Sequence, residues 1–202
     1  MSLVATVAGT PLEVSDVDAR EVALRAAPQV AALPRPGTSE GRQLRRWLTQ
    51  LLVTERVVAR EAAALGVTVT AATPAEDELL PDLTARLEIG SVAASALADP
   101  LARALFAYVT DAVDVDEVAV ADYHDRNPRR FAQFGHARGW LVPGGTPTLD
   151  EARPQIAAHL RGAARRRAFR LWLDQRRAAL VWLAPGYEHP GDPRQPDNTH
   201  KH

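Results

Sequence analysis

Apolar positions along this chain recur mostly at three- and four-residue steps, the spacing that gives a helix one buried face. The longest run lies between Ser39 and Leu65, where Leu44, Leu48, Leu51, Leu52, Val58, Ala62 and Leu65 align and Gly66 supplies a stop. Residues 4–14, VATVAGTPLEV, follow another pattern. Their β-branched positions, Gly-Thr-Pro and second apolar run predict an extended segment with a turn. Ser15 then reads as the N-cap of a helix ending near Ala27. Three prolines and two glycines make residues 28–41 a loop.

Further along, Thr73, Pro74 and Glu76 stand in the order of an N-cap, a first-turn proline and a capping-box acid, and Pro81 interrupts the helix they open. Gly90-Ser91 and Asp99-Pro100 divide the next stretch into two helices, the second covering Leu101–Val113. Asp114 and Glu117 open another, which runs through Tyr123 to Asn127. The aromatic, glycine-containing FAQFGHARGWLV predicts a strand, and PGGTP a turn. Thr148 with Glu151 caps a final helix to about Ala179, and Leu180–Leu183 reads as a closing strand. The two terminal extended segments can satisfy their backbone groups by pairing with each other. The expectation is a mainly α fold of about six helices with short strands at both ends. It comprises a single domain over 1–183 and a proline-rich flexible tail over 184–202.

Composition narrows the chemistry. Absence of cysteine excludes disulfides, thiolate metal sites and cysteine nucleophiles. No apolar run is long enough to cross a membrane, and the N-terminus lacks a secretory pattern, so a cytoplasmic protein without a membrane partner is expected. Net charge is −1, yet residues 66–127 carry twelve acids against three arginines, while 128–183 carry eleven arginines against three acids. Such opposed blocks are expected to fold together, and with no uncompensated basic excess no nucleic acid is expected as partner.

The order of elements resembles a known family. VATVAGTPLEVSDVD is similar to the opening of the SurA/PrsA-type chaperone domain, with its Val-x-x-Val-x-Gly-x-x-Leu strand before a capped helix. RRWLTQLLVTERVVAREAAALGVTVTAATPAEDE resembles that family's long helix, and VDEVAVADYHDRNPRRF its helix ending Tyr-x-x-Asn-Pro-x-x-Phe. The likeness covers roughly residues 4–80 and 112–135. In that family a parvulin prolyl isomerase domain follows, but here only about a dozen residues separate Phe131 from Pro143. The chain continues instead into IAAHLRGAARRRAFRLWLDQRRAALVWL, which resembles the returning helix and strand. The resemblance therefore implies a SurA-like chaperone domain with its isomerase missing. It also makes Tyr123 and Phe131 packing residues.

Several residues could carry chemistry. Gly135-His136-Ala137-Arg138-Gly139 compares with the Gly-His-Ser-x-Gly elbow of acyltransferases, but Ala137 occupies the nucleophile position. His136 then reads as a strand residue. Tyr123 and His124, beside Asp125, Arg126 and Arg130, could form an acid/base cluster, or simply end a helix. On the last helix Ile156, Leu160, Ala163, Ala164 and Leu171 share an arc with Arg167. That guanidinium must pair with a carboxylate, snorkel, or face a cavity where it could hold a carboxylate or a phosphopantetheine phosphate. His189, His200 and His202, with Asp192 and Asp197, are the candidate metal ligands, but a proline-rich tail holds no fixed geometry, so no metal or other cofactor is expected. Phe131, Phe134, Trp140 and Trp172 are the candidates for an apolar groove, although most large aromatics belong in the core.

Two functions follow. The first is a chaperone-like module that binds an unfolded polypeptide or a partner protein without isomerase activity. The alternative is a small-molecule biosynthetic enzyme, an isomerase or cyclase, acting on a small hydrophobic ligand or on an intermediate held by an acyl carrier protein. An architectural subunit and a homodimer are compatible with either. A closed pocket with converging polar groups favours the enzyme, and an open groove favours the binding module.

Overall fold

The computed structural model describes residues 2–26, 33–131, 134–137, 140–143 and 145–188, with backbone alone for 134–137 and 140–143. Strands β1 (Leu3–Val7) and β2 (Thr10–Glu13) form a hairpin closed by Ala8 and Gly9, at φ 48° and 81°. Two positive-φ residues match the right-handed twist of the strands they join. On the other side of β1 lies β5 (Val181–Leu183), antiparallel, with Ala5 opposite Leu183 and Val7 opposite Val181. The expected pairing of the terminal segments is thus present, in the order β2-β1-β5.

Helix α1 (Val14–Arg25) starts one residue before Ser15, which is not its cap. Glu13 is the N-cap, and its N–H donates to the Asp16 carboxylate at 2.9 Å. Helix α2 (Ser39–Leu65) has the expected bounds, with the Thr38 hydroxyl accepting from Gly41 N–H and Gly66 in the left-handed conformation at φ 67°. Its burial exceeds one stripe: Val53, Val57 and Thr54 are buried along with Leu48, Leu51, Val58 and Ala62, while Leu65 is exposed. Position explains this, because α2 is the central helix and packs against β1, α1, α5, α6 and α8.

Eight helices occur among the described residues, more than the six expected, because the segment after α2 breaks into short pieces. Helix α3 (Glu76–Leu79) is capped by Ala75 rather than Thr73, whose hydroxyl accepts from Thr70 N–H and closes a turn. Pro81 ends α3 as expected; α4 (Leu83–Ile89), α5 (Ser91–Ala96) and α6 (Pro100–Val109) follow. Helix α6 stops four residues short of Val113. Thr110, fully buried, turns its hydroxyl back to the Phe106 carbonyl and accepts from Arg165 Nε. Asp116, not Asp114, caps α7 (Glu117–Arg126). Asp114 instead accepts from Val115 N–H and pairs with Arg161. The single strand expected after α7 is a hairpin, β3 (Phe134–Ala137) and β4 (Trp140–Pro143).

Helix α8 (Leu149–Leu180), begun by the expected Thr148–Glu151 capping box, is about 48 Å long. Its second half buries Phe169 and Leu173 in the main core, where Phe169 meets Phe106 at 5.0 Å and stacks on the partly buried Trp172 at 5.7 Å. Its first half forms a smaller cluster, in which Ala152 and Ile156 meet Val120, Tyr123 and Phe131. The acidic and basic blocks pair across these contacts, Arg153 with Glu117, Arg161 with Asp114 and Arg166 with Glu88. Residues 184–188, expected as tail, pack onto the domain: Ala184 N–H donates to the Val4 carbonyl, and Tyr187 packs against the main core. Trp182 is half exposed rather than core.

Arg166 is 5% exposed and ties α8 to α4. Glu88 is more than a third exposed and regains water when Arg166 is removed, so Arg166→Ala should lower unfolding free energy by about 1–2 kcal/mol in urea titrations, chiefly through lost packing and the unpaired Leu79 carbonyl. Arg161→Ala, at an exposed pair, should change it little.

Candidate functional site

The candidate acid/base residues sit where α7 meets α8. Tyr123 turns inward, 6.2 Å from the Phe131 ring and 5.4 Å from that of His159. His124 turns away: its Nε2 donates to the Pro147 carbonyl at 2.9 Å, which fixes the tautomer and leaves Nδ1 3.9 Å from the Asp125 carboxylate. Tyr123 and His124 are therefore not brought together; each ties down a different neighbour. His159, which the sequence reading missed, sits three positions after Ile156 on the same stripe of α8. Burial lowers its pKa from the ordinary value, and the positive charge of Arg130 adds to this. Phe131 is partly buried in this cluster. The side chains of His136, Phe134 and Trp140 lie outside the described residues, as do His189, His200 and His202.

The inward-facing arginine of α8 was expected at position 167. It is Arg166, one residue and about 100° round the helix. The buried stripe runs Ala152, Ile156, Arg166, Phe169, Leu173, and Leu171 is half exposed. The apolar arc drawn from the first half of the helix was carried too far, because α8 changes partners from α7 to α4 midway. Arg166 spends its guanidinium on Glu88, at 2.9 and 2.8 Å, and on the Leu79 carbonyl. Arg167 is exposed and does line a cleft of about 520 Å³, with Glu88, Ala163, Ala164 and Arg170.

A second cleft, of about 310 Å³, adjoins it. Ile89, Gly90, Ser91, Val92 and Ala93 form one wall, α8 supplies Arg170, Leu173, Asp174 and Arg177, and α2 supplies Gln50 and Thr54. Arg170 lines both clefts. Together they follow α8 from Ala163 to Arg177, about 21 Å at the helical rise. At the far end, the Arg177 guanidinium donates to the Gln50 carbonyl at 3.3 Å, to the Gln50 side-chain oxygen and to the Thr54 hydroxyl. Gln50 in turn donates to the Tyr187 carbonyl at 2.8 Å. All three partners of Arg177 are neutral. Burial pushes its pKa down, against a smaller opposing pull from Asp174.

The clefts on α8 differ in what their arginines already do. A third, of about 220 Å³, lies against α3 and α6 and contains Arg161, Arg165 and Arg166. Those are committed to Asp114, to Thr110 with the Phe106 ring, and to Glu88. Among the described residues Arg170 and Arg177 make no ion pair. Sequence reading passed over Arg177, although it stands at the next four-residue step after Phe169 and Leu173. Gln50 and Thr54 give the matching signal on α2, two polar residues four apart within an apolar run.

A family model described as a family of unknown function (DUF7158) matches residues 3–40, the segment that forms β1, β2 and α1 and opens α2. No curated protein and no solved structure matches the chain.

The lowered pKa of His159 has a consequence for stability. The unfolded chain takes up a proton near pH 6.5 that the folded chain resists, so stability should fall as pH drops from 6.5 to the lower folded value. His159→Gln should flatten that part of the pH–stability curve, measured by chemical denaturation at a series of pH values.

Proposed function

We propose that this protein is a polypeptide-binding module, a SurA-like chaperone domain without prolyl isomerase activity, and that the groove along α8 holds its client. The observation that carries the reading is the form of the groove. It is open along its length, and about 21 Å accommodates about six residues of extended chain. A small ligand needs a concave pocket that covers most of its surface. The lining suits a chain of varied sequence: Ile89, Val92, Ala93, Ala163, Ala164 and Leu173 are apolar, and arginine stems extend that surface. The sheet agrees with the resemblance, since the strand that closes the domain returns to the first strand. The hairpin β3–β4 stands between α7 and α8, at the place in the chain where the chaperones it resembles carry their isomerase.

The groove along α8 lies apart from Phe131 and Trp172. Trp172 is stacked on Phe169, and Phe131, partly buried between α7 and α8, lines a separate cleft of about 430 Å³ with Pro147, Ala152 and Gln155.

Stoichiometric protein should suppress aggregation of a chemically unfolded client, followed by light scattering. Ala163→Glu, which places a charge in the groove at a position that is not fully buried, should abolish suppression and leave the circular dichroism melt unchanged. A proline-containing test peptide should isomerise at its uncatalysed rate. Full suppression by Ala163→Glu would remove the groove from the account.

A further inference from the structure

We propose that the Arg177 end of the groove recognises the C-terminal carboxylate of the bound polypeptide, with the last side chain against the partly buried Val92. This rests on the reading of the groove as a polypeptide site and adds direction and end-specificity to it.

The donors come first. A guanidinium has five N–H groups. Arg177 uses two on Nη1 and one on Nη2 for Gln50 and Thr54, which leaves Nε–H and one Nη2–H with no acceptor among the described residues. Those are the groups from which a guanidinium makes a bidentate contact with a carboxylate. The three bonds already made hold the planar group in place, so little side-chain freedom remains to be lost on binding. Gln50 and Thr54 are at most 1% exposed, and Gln50 is itself anchored on the Tyr187 carbonyl. The site is therefore built by buried groups rather than assembled from surface side chains.

Charge selects the ligand class. Arg170 and Arg177 flank Asp174 on the same stretch of α8, so the cleft carries a net charge of +1. A monoanion neutralises it. A phosphate dianion would overcharge it and face the Asp174 carboxylate. Bringing an anion to Arg177 also relieves the cost of a buried cation whose contacts are all neutral.

Shape decides between a chain end and an internal acidic residue. Next to the arginines lie Ile89, Val92, Ala93 and Leu173; the groove runs from Ala163 past Arg170 to Arg177, where the buried side chains of Gln50 and Thr54 line its end. A chain that enters along Ala163 and Ala164 would end at Arg177. An apolar last residue gives the carboxylate and the apolar contact together.

The test compares two acetylated hexapeptides ending in leucine, one a free acid and one an amide, by titration calorimetry on the full chain. The free acid should bind about tenfold more tightly, the effect of one charge-assisted pair. Arg177→Gln should remove the difference. Because Arg177 also supports the α2–α8 contact, Arg170→Gln, at an exposed position, provides a second variant and should reduce the preference severalfold while the fold is kept. Asp174→Asn should strengthen the acid and leave the amide unchanged. Equal binding of acid and amide overturns the inference and leaves the polypeptide groove standing. Binding of neither peptide overturns both readings. N-acetyl-leucine binding where the hexapeptide acid does not would also overturn the inference, since the ligand would then be a free acid.

Discussion

The antiparallel pairing of β5 with β1 is the constraint on which the remaining geometry depends. It is three residue pairs long, yet it returns the end of a 32-residue helix to the first strand of the chain. With β5 held there, α8 must cross α2 at one place. Arg177 then meets Gln50 and Thr54, and Arg176 meets the buried carboxylate of Glu61 at 2.7 Å. Closing so long a loop costs chain entropy that the strand bonds alone would not offset. The packing of Phe169 and Leu173 into the core, beneath the same helix, supplies the rest.

Helix α8 has a divided environment, and that division creates the groove. Its first half packs on α7 and its second on α4 and α2. Where it changes partner, the side chains at 163, 164, 167 and 170 are left along an open edge. Short α4 and α5, broken at Gly90 with φ 89°, form the opposite wall. A continuous helix there would have placed side chains of one face against α8 and filled the space. Three of the eight arginines of α8, Arg153, Arg161 and Arg166, face carboxylates from the acidic stretch before it, so folding neutralises part of the segregation of charge seen along the chain. Arg176 meets Glu61, while Arg165, Arg167, Arg170 and Arg177 make no ion pair among the described residues, and the last three line the groove.

Local signals read well where the chemistry is local. The bounds of α2, its left-handed Gly66, the Thr148–Glu151 box and the break at Pro81 depend on residues within one turn of each other. The errors fall where two acceptors compete. Asp114 has the spacing of a cap, but Val115 N–H and Arg161 claim its oxygens, and Asp116 caps instead. Thr73 likewise closes a turn with Thr70 rather than starting α3. Thr110 ends α6 early because a buried hydroxyl between Phe106 and Arg165 is better satisfied there than in a longer helix.

Sequence by itself determined the helical class, the bounds of α2 with its stop at Gly66, the Thr148–Glu151 cap and the pairing of the two ends, since each follows from backbone chemistry and short-range periodicity. It also limited the site to a set of residue types, with no cysteine and no nucleophile at the Ala137 elbow. Tertiary structure alone decided which arginine is buried, which is committed and which is available. Arg166, Arg167, Arg170 and Arg177 are alike in a pattern of apolar and polar positions. They differ only in what stands across from them: Glu88 for Arg166, an open cleft for Arg167 and Arg170, and the neutral oxygens of Gln50 and Thr54 for Arg177. Those neighbours come from helices more than a hundred residues away in the case of Arg177, and no local period carries that information.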